Sequence, residues 1–484
     1  MNTVITTQTG NRRRAATKGR KIRPDDLPPL VWAPEASWPH IDPLDVFRAG
    51  LRHHHLANTA YPIAHRKTIW EFRQPPDRHI SLLRDALAGR RFCLYLHVPF
   101  CERRCTFCEY CVLEHHDEAA EAAYFHALAR EADLYLDLLG PDAGELAGLD
   151  VGGGTPLLAE PARIDAVLSR LLSRLPLAPG FGMSIETTPR LAARHLDRLA
   201  AVRALGFERI SMGLQTVSAR LLKAYGRDIN SIGDNRPAVD NIRRAGFRQF
   251  NLDLMYGFAK QSLADVEAGT RAAIDLEPEF ITLYRMRYKG TRVADEAARV
   301  ELDRVTAMYE RSRELLLAAG YAANPGKNAF SRVPGNPGTS PYLTERVIRG
   351  TPYLGLGLGA QTFTANLLAY NQGAASKTLN RYLADVTAGR LPIQDLYHLP
   401  PSEGMAKMLA VSFYFAQIDR AAFQERFGRD LDACFPEEVD FVRARGLMED
   451  DGAVLRLTPA GAAAFSGVVA LFYSPRVKAH LLSL

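Results

Sequence analysis

A chain of 484 residues that is 47% apolar and 24% charged is too apolar for a disordered or collagen-like protein. It is also too long for one core, since single cores stop growing near ~250–300 residues, so at least two domains are expected. The formal charge of +6 invites a nucleic-acid reading, but residues 1–24 hold seven basic side chains (Arg12, Arg13, Arg14, Lys18, Arg20, Lys21 and Arg23) and no acid. Subtracting these seven from the 60 Lys and Arg leaves 53 against 54 Asp and Glu, so the body is close to neutral and nucleic acid is not an expected partner.

In chain order, the Thr- and Arg-rich residues 1–24 read as a disordered basic tail, and 25–90 as a Pro-, Trp- and His-rich lead-in with a helical stretch at 80–88. No apolar run reaches the roughly 18–20 residues of a membrane span, and no apolar signal region opens the chain, so a cytoplasmic protein without a membrane partner is expected. Over residues 91–325, strand-like runs at 92–98, 146–152, 183–186, 209–213, 250–255 and 280–285 alternate with amphipathic stretches at 118–138, 164–175, 190–205, 233–245 and 262–275. This alternation predicts an α/β fold, parallel βα units curled into a partial (β/α)6 barrel. Chemistry in such sheets gathers at the C-terminal strand ends.

Residues 326–400 form a Gly-, Pro- and Asn-rich extension. Its series Gly355, Gly357 and Gly359 looks like a dinucleotide fingerprint but lacks the acidic residue and the βαβ setting, so a packed turn with close backbone approach is expected. Residues 401–484 read as helices at 404–418 and 420–427, a hairpin at 453–457 and a final helix from 458, a winged-helix-like domain. Without a basic surplus, a structural or substrate-covering role is expected there rather than DNA binding.

Six cysteines fall unevenly, at Cys93, Cys101, Cys105, Cys108, Cys111 and the distant Cys434. Four inside eleven residues do not suit a disulfide framework; they suit metal ligands in a reducing compartment. The spacing in Cys101-Glu-Arg-Arg-Cys105-Thr-Phe107-Cys108 wraps one loop around a compact 4Fe-4S cubane, giving three irons a thiolate each and leaving the fourth open. An open iron can chelate the amino and carboxylate groups of S-adenosylmethionine, whose sulfonium a single electron then cleaves to a 5′-deoxyadenosyl radical. Zinc is the competing reading, but it normally takes two separated Cys/His pairs. Cys111 is either a fourth ligand or a bystander with a later role; Cys93 and Cys434 are expected to pack as small apolar residues.

The run from Tyr95 to Cys108 resembles the first strand and cluster loop of the oxygen-independent coproporphyrinogen III oxidase-like (HemN-type) family of radical S-adenosylmethionine (radical SAM) enzymes. Further matches follow in order: Gly152-Gly-Gly-Thr-Pro156, Ser184-Ile-Glu186-Thr-Thr-Pro189, the stretch from Arg209 to Gln215, Gly226-Arg227, and Asn251-Leu-Asp253-Leu-Met-Tyr-Gly257. The resemblance implies cluster ligands Cys101, Cys105 and Cys108, and a cofactor pocket of Tyr95, Phe107, Gly153, Gly154, Thr155, Glu186, Gln215, Arg227 and Asp253. It implies one or two molecules of S-adenosylmethionine, a small-molecule substrate, and a one-electron donor such as flavodoxin or ferredoxin.

The departures bear on the substrate. Tyr110 stands where the porphyrin enzyme carries an extra cysteine, and Cys111 is displaced by one position. The lead-in Asn58-Thr-Ala-Tyr61-Pro62-Ile-Ala-His65-Arg-Lys67 matches the family only in part, and Gln361 replaces the His usual in haem-chaperone relatives. These departures favour methyl or methylene transfer, or cyclopropanation, on a specialised metabolite. Oxidative decarboxylation of a porphyrinogen propionate is the alternative, and a non-catalytic haem- or nucleic-acid-binding protein on the same scaffold is a third reading.

Overall fold

The computed structural model describes residues 29–114, 117–141 and 143–484, so the tail expected at 1–24 lies outside the described residues. Phe92–Val98, buried on both faces along almost its whole length, is the near-continuous apolar run a parallel central strand requires. It is β1. Parallel neighbours follow in chain order: β2 Leu146–Gly153, β3 Met183–Thr187, β4 Arg209–Gln215, β5 Gln249–Tyr256 and β6 Phe280–Arg285. The six strands read from the sequence are therefore present, and the architecture is α/β with a parallel sheet.

The sheet does not stop at six. β7, Ala329–Ser331, pairs antiparallel with β6, and on the other side β8, Tyr353–Leu356, lies parallel to β1. Beyond β8, the strands β9 Gln361–Phe363, β10 Leu367–Asn371 and β11 Ile393–His398 continue antiparallel. The order is β11-β10-β9-β8-β1-β2-β3-β4-β5-β6-β7, an open sheet of eleven strands rather than a closed barrel. The glycine series begins as β8 and only then turns. A Cβ at Gly355 would lie 2.3 Å from the Gln361 carbonyl oxygen, and one at Gly357 2.4 Å from the Tyr124 hydroxyl, so close backbone approach is the reason for glycine there.

The stretch 190–205, expected as one helix, is two: Pro189–Arg194 and Leu196–Ala204, meeting at His195. Its Ala-rich sequence carries no mark of a break. Asn241 compensates from a neighbouring helix, its Nδ2 donating to the Ala192 and Ala193 carbonyls at 3.0 and 2.9 Å.

Leu94, Val151, Ile185, Ile210, Leu252 and Ile281 anchor the main core beside the sheet. A second core joins residues far apart in the chain: Val46, Ala49, Tyr61 and Ile63 of the lead-in pack with Phe413, Phe423, Leu455, Phe472 and Tyr473. Each such large apolar side chain contributes about 1.5–3 kcal/mol when fully buried. The helix Pro43–Arg52 lies directly on Phe465–Leu471; a Cβ at Gly50 would be 2.6 Å from the Ser466 carbonyl oxygen, and one at Gly467 2.8 Å from the Phe47 ring. The Tyr61 and Ser474 hydroxyls both donate to Glu403. Around this core, strands Gln417–Asp419, Val454–Leu457 and Met448–Asp450 form a small antiparallel sheet beside helices Arg420–Phe427 and Pro436–Ala444. No helix among the described residues is long and apolar enough to cross a membrane.

Candidate active site

After β1 the chain crosses the C-terminal end of the sheet, and there Cys101, Cys105 and Cys108 line a cavity of about 490 Å³. Backbone and side-chain bonds hold their loop. The Cys108 N–H donates to the Cys105 carbonyl at 3.1 Å, the Thr106 N–H to the Tyr225 carbonyl at 2.9 Å, and Arg104 Nη2 to the Cys108 carbonyl at 3.1 Å. Thr155 Oγ1 lies 3.4 Å from Cys101 Sγ, and Arg227 Nη1 donates to Cys105 Sγ at 3.4 Å. Burial holds the Cys101 and Cys108 thiols above their ordinary range, so ionising them calls for the positive charge a metal supplies.

Among the described residues no group of three or more His, Cys, Asp or Glu side chains converges on a single point. A cubane gives each thiolate its own iron, so its ligands need not converge on one point. Cys111 does not line the cavity; its Sγ donates to the Gly373 carbonyl at 3.4 Å, and its own carbonyl oxygen lies 2.7 Å from His97 Nε2. Cys93 is buried under β8, and Cys434 packs beside the second core.

β2 ends in the glycine turn, which the cluster loop clasps: the Gly154 N–H donates to the Val98 carbonyl at 2.7 Å and the Thr155 N–H to the Phe100 carbonyl at 2.8 Å. This leaves no room for side chains. A Cβ at Gly152 would lie 2.8 Å from the Glu186 carboxylate, at Gly153 2.5 Å from the His97 ring, and at Gly154 2.5 Å from the Phe100 carbonyl oxygen; Gly153 also has φ +114°. Gly153, Gly154 and Thr155 line the cavity. Glu186 at the end of β3 accepts from the Gly153 N–H at 3.2 Å. Burial, reinforced by Asp253, pushes its carboxyl up to about 8. Asp253, in β5, is pushed up by burial to about 6 despite hydrogen bonds from Ser211 and Asn251.

Gln215 closes β4 in the left-handed region, φ 65°, where the pairing with β5 slips by one residue between Gly213 and Gln215. The bulge turns its amide into the cavity at the cost of backbone strain. Arg227 is buried and donates to the Gly213 carbonyl, and Phe107 lines the cavity while packing on Tyr225 and Phe258. Tyr95 does not line it; its ring lies behind, with centroids 6.1 Å from both Tyr342 and His97.

Apart from Tyr110, the sequence did not single out the other half of the wall. Arg285 bonds to His54 and to Ser466 Oγ, the latter at 3.3 Å, while Arg287 pairs with Glu109. Arg313, Tyr284, Tyr414 and Phe465 complete that side together with Tyr110. These residues come from the end of β6, the next helix, the lead-in and the C-terminal segment, and no local pattern marks their convergence.

The Radical SAM superfamily model matches residues 95–270, and the HemN C-terminal domain model matches 415–463. Residues 95–270 are thus a radical SAM domain and residues 415–463 a HemN C-terminal domain. The chain is 29% identical over 269 residues to the heme chaperone HemW of Escherichia coli (strain K12), covering 55% of this chain and 68% of that protein. Against the oxygen-independent coproporphyrinogen III oxidase of Paracoccus denitrificans it is 32% identical over 241 residues, spanning about half of each chain (48% and 52%). The corresponding oxidase of Pseudomonas aeruginosa is 26% identical over 454 residues, 88% of this chain and 95% of its own. The solved structure of coproporphyrinogen III oxidase (HemN) from Escherichia coli shares the fold, with a TM-score of 0.69 over 86% of this chain and 96% of that one at 21% identity.

A radical SAM domain implies a 4Fe-4S cluster and S-adenosylmethionine, and the residues present fit both. Three thiols share one loop and one cavity, with Gln215 Oε1 and Arg227 Nε buried beside them and lacking hydrogen-bond partners. Glu186 and Asp253 line the same cavity, Glu186 accepting from the Gly153 N–H and Asp253 from Ser211 and Asn251. A ligand with an ammonium group, hydroxyls and a carboxylate would satisfy this donor set.

Proposed function

We propose that this protein uses the cavity for radical chemistry on a carboxylate-bearing small molecule. The observation that carries the reading is the shared wall: Cys101, Cys105 and Cys108 face the same 490 Å³ as the glycine turn, Glu186, Gln215, Arg227 and Asp253. A 4Fe-4S cluster on the three thiols with S-adenosylmethionine on its open iron supplies a 5′-deoxyadenosyl radical by one-electron cleavage of the sulfonium. The protein's part is positional. The Gly153–Thr155 turn and the two carboxyls receive the ammonium and hydroxyl groups, the Arg227 guanidinium receives a carboxylate, and the C-terminal segment supplies part of the apolar wall.

Within that chemistry, oxidative decarboxylation of a propionate side chain ranks first: one hydrogen atom, CO₂ and one electron leave, the electron going to a one-electron acceptor. Arg313 supports it, because it lines the cavity, pairs with no carboxylate among the described residues and has a buried Nε without a partner among them. The relatives named as oxidases point the same way. Methyl or methylene transfer, or cyclopropanation, needs a second S-adenosylmethionine; its support is confined to the sequence departures at Tyr110, Cys111 and the lead-in. A haem-carrying role, as named for the HemW relatives, predicts binding of haem without nucleoside products.

Anaerobic reconstitution with iron, sulfide, dithionite and S-adenosylmethionine, followed by mass spectrometry, tests the reading. 5′-Deoxyadenosine is the expected product, and its absence refutes radical chemistry. With coproporphyrinogen added, CO₂ release supports decarboxylation, whereas methylthioadenosine or S-adenosylhomocysteine supports carbon transfer.

A further inference from the structure

Tyr110 stands two residues beyond Cys108. It is 53% exposed and lines the cavity, where it shares the wall with Cys108, Glu186, Tyr284 and Tyr414. Its hydroxyl makes no hydrogen bond to any described residue. Tyr309 of the same cavity is engaged, donating to the Lys327 carbonyl at 3.0 Å, as are Tyr225 to Glu296 at 3.0 Å, Tyr288 to the Gly257 carbonyl at 3.0 Å and Tyr382 to Glu131 at 2.7 Å. The Tyr110 phenol, half-exposed on the wall it shares with Cys108, is open to what the cavity holds.

Among side-chain groups in this cavity, the phenols of Tyr110, Tyr256, Tyr284, Tyr309 and Tyr414 and the thiols are the ones whose X–H bonds are weaker than an aliphatic C–H, and Tyr110 is the phenol carried on the cysteine loop itself. The three cavity thiols are taken up as ligands in the reading above, on which the present inference rests. We propose that Tyr110 is a catalytic residue that gives the hydrogen atom of its phenol O–H to a carbon radical held in the cavity. The O–H bond breaks homolytically, a C–H bond forms, and a phenoxyl radical remains. One electron from a low-potential donor of the flavodoxin or ferredoxin class, or dithionite in vitro, together with one proton from solvent, restores the phenol. The competing role is a wall residue that only shapes the cavity, and Tyr110→Phe separates the two because it keeps the ring and removes the O–H.

The test uses the full-length reconstituted protein with S-adenosylmethionine and dithionite in D₂O, and no further substrate, so that the adenosyl radical itself is the probe. The phenol proton exchanges with solvent, so 5′-deoxyadenosine from the wild type should carry a solvent-derived deuterium at C5′. That label should fall to background in Tyr110→Phe and persist in Tyr284→Phe and Tyr414→Phe. Freeze-quenched electron paramagnetic resonance should show a tyrosyl signal in the wild type that narrows with ring-deuterated tyrosine and is lost in Tyr110→Phe. Unchanged deuterium content in a Tyr110→Phe protein that still cleaves S-adenosylmethionine overturns the proposal and leaves the functional reading standing. A Tyr110→Phe protein that keeps its cluster but cleaves nothing shows a positioning role and overturns it as well. Failure of the wild type to cleave S-adenosylmethionine overturns the functional reading and the proposal together.

Discussion

Adding one methyl group at Gly153 distinguishes backbone strain from crowding at the cofactor turn. Gly153 has φ +114°, and a Cβ there would lie 2.5 Å from two atoms of the His97 ring, which its contact with the Cys111 carbonyl oxygen at 2.7 Å holds in place. Gly180 provides the control: its φ is +81° and nothing lies within 4 Å of the position a Cβ would take. Backbone in these regions costs an L residue about 1–3 kcal/mol, so Gly180→Ala is expected to lose about that much. Gly153→Ala bears the same strain plus about 1–3 kcal/mol of overpacking, a total of about 2–6 kcal/mol. Urea unfolding at unchanged m-value reads the difference. The same displacement pulls the Gly153 N–H from Glu186, 3.2 Å away, so S-adenosylmethionine affinity should fall in parallel. Equal stability losses for the two variants would refute the reasoning.

Glu186 keeps its proton in the fold up to about 8, so the folded state binds more protons than the unfolded one between about 4.5 and 8, and the stability this contributes is complete below that window and lost as pH rises through it. Glu186→Gln should flatten the pH dependence of the apoprotein's urea midpoint across that window; an unchanged slope rejects the assignment. Gln215→Gly should relieve about 1 kcal/mol or more of left-handed strain, leaving stability equal or higher while cofactor binding weakens, which calorimetry and thermal unfolding of one sample can show. Cys101→Ala should abolish cluster absorbance, whereas Cys111→Ala, which removes a thiol bonded to Gly373 away from the cavity, should retain it. Gly50→Ala pushes a methyl against the Ser466 backbone and should cost about 1–3 kcal/mol, with earlier proteolysis of the C-terminal segment.

The six parallel strands were legible because each is a short apolar run between amphipathic helices, and the ligand loop because thiol spacing is a local property. β8 was not legible. A glycine at a strand's centre weakens the very pattern that marks strands, and Gly355 is there for the approach of Gln361, a contact that spacing alone does not reveal. The helix break at His195 was hidden for a related reason, since the side chain that takes up the freed carbonyls, Asn241, lies on another helix. Glu186 and Asp253 were found on strands, where direction follows from strand periodicity, whereas Gln215 owes its direction to a bulge that periodicity does not show. Tyr110 was noticed as a departure, but its orientation was not, because an irregular loop has no period from which to read it. Arg285, Arg313 and Tyr414 meet only through the packing of segments far apart in sequence.

The core shared by the lead-in and the C-terminal segment sets an order of events during synthesis. Pro459, Ala462, Ala463 and Phe465 form part of the cavity roof, so a nascent chain that has already made its cysteine loop still lacks its cover. Roughly 350 residues separate that loop from the roof, and at about 5–20 residues per second the ribosome leaves the thiols uncovered for on the order of 18–70 s. The lead-in helix Pro43–Arg52 waits through the same interval for Phe465–Leu471, its packing partner. Metal loading therefore has a natural window before the roof closes, and a chain released with its roof already packed presents the assembly machinery with a narrower way in.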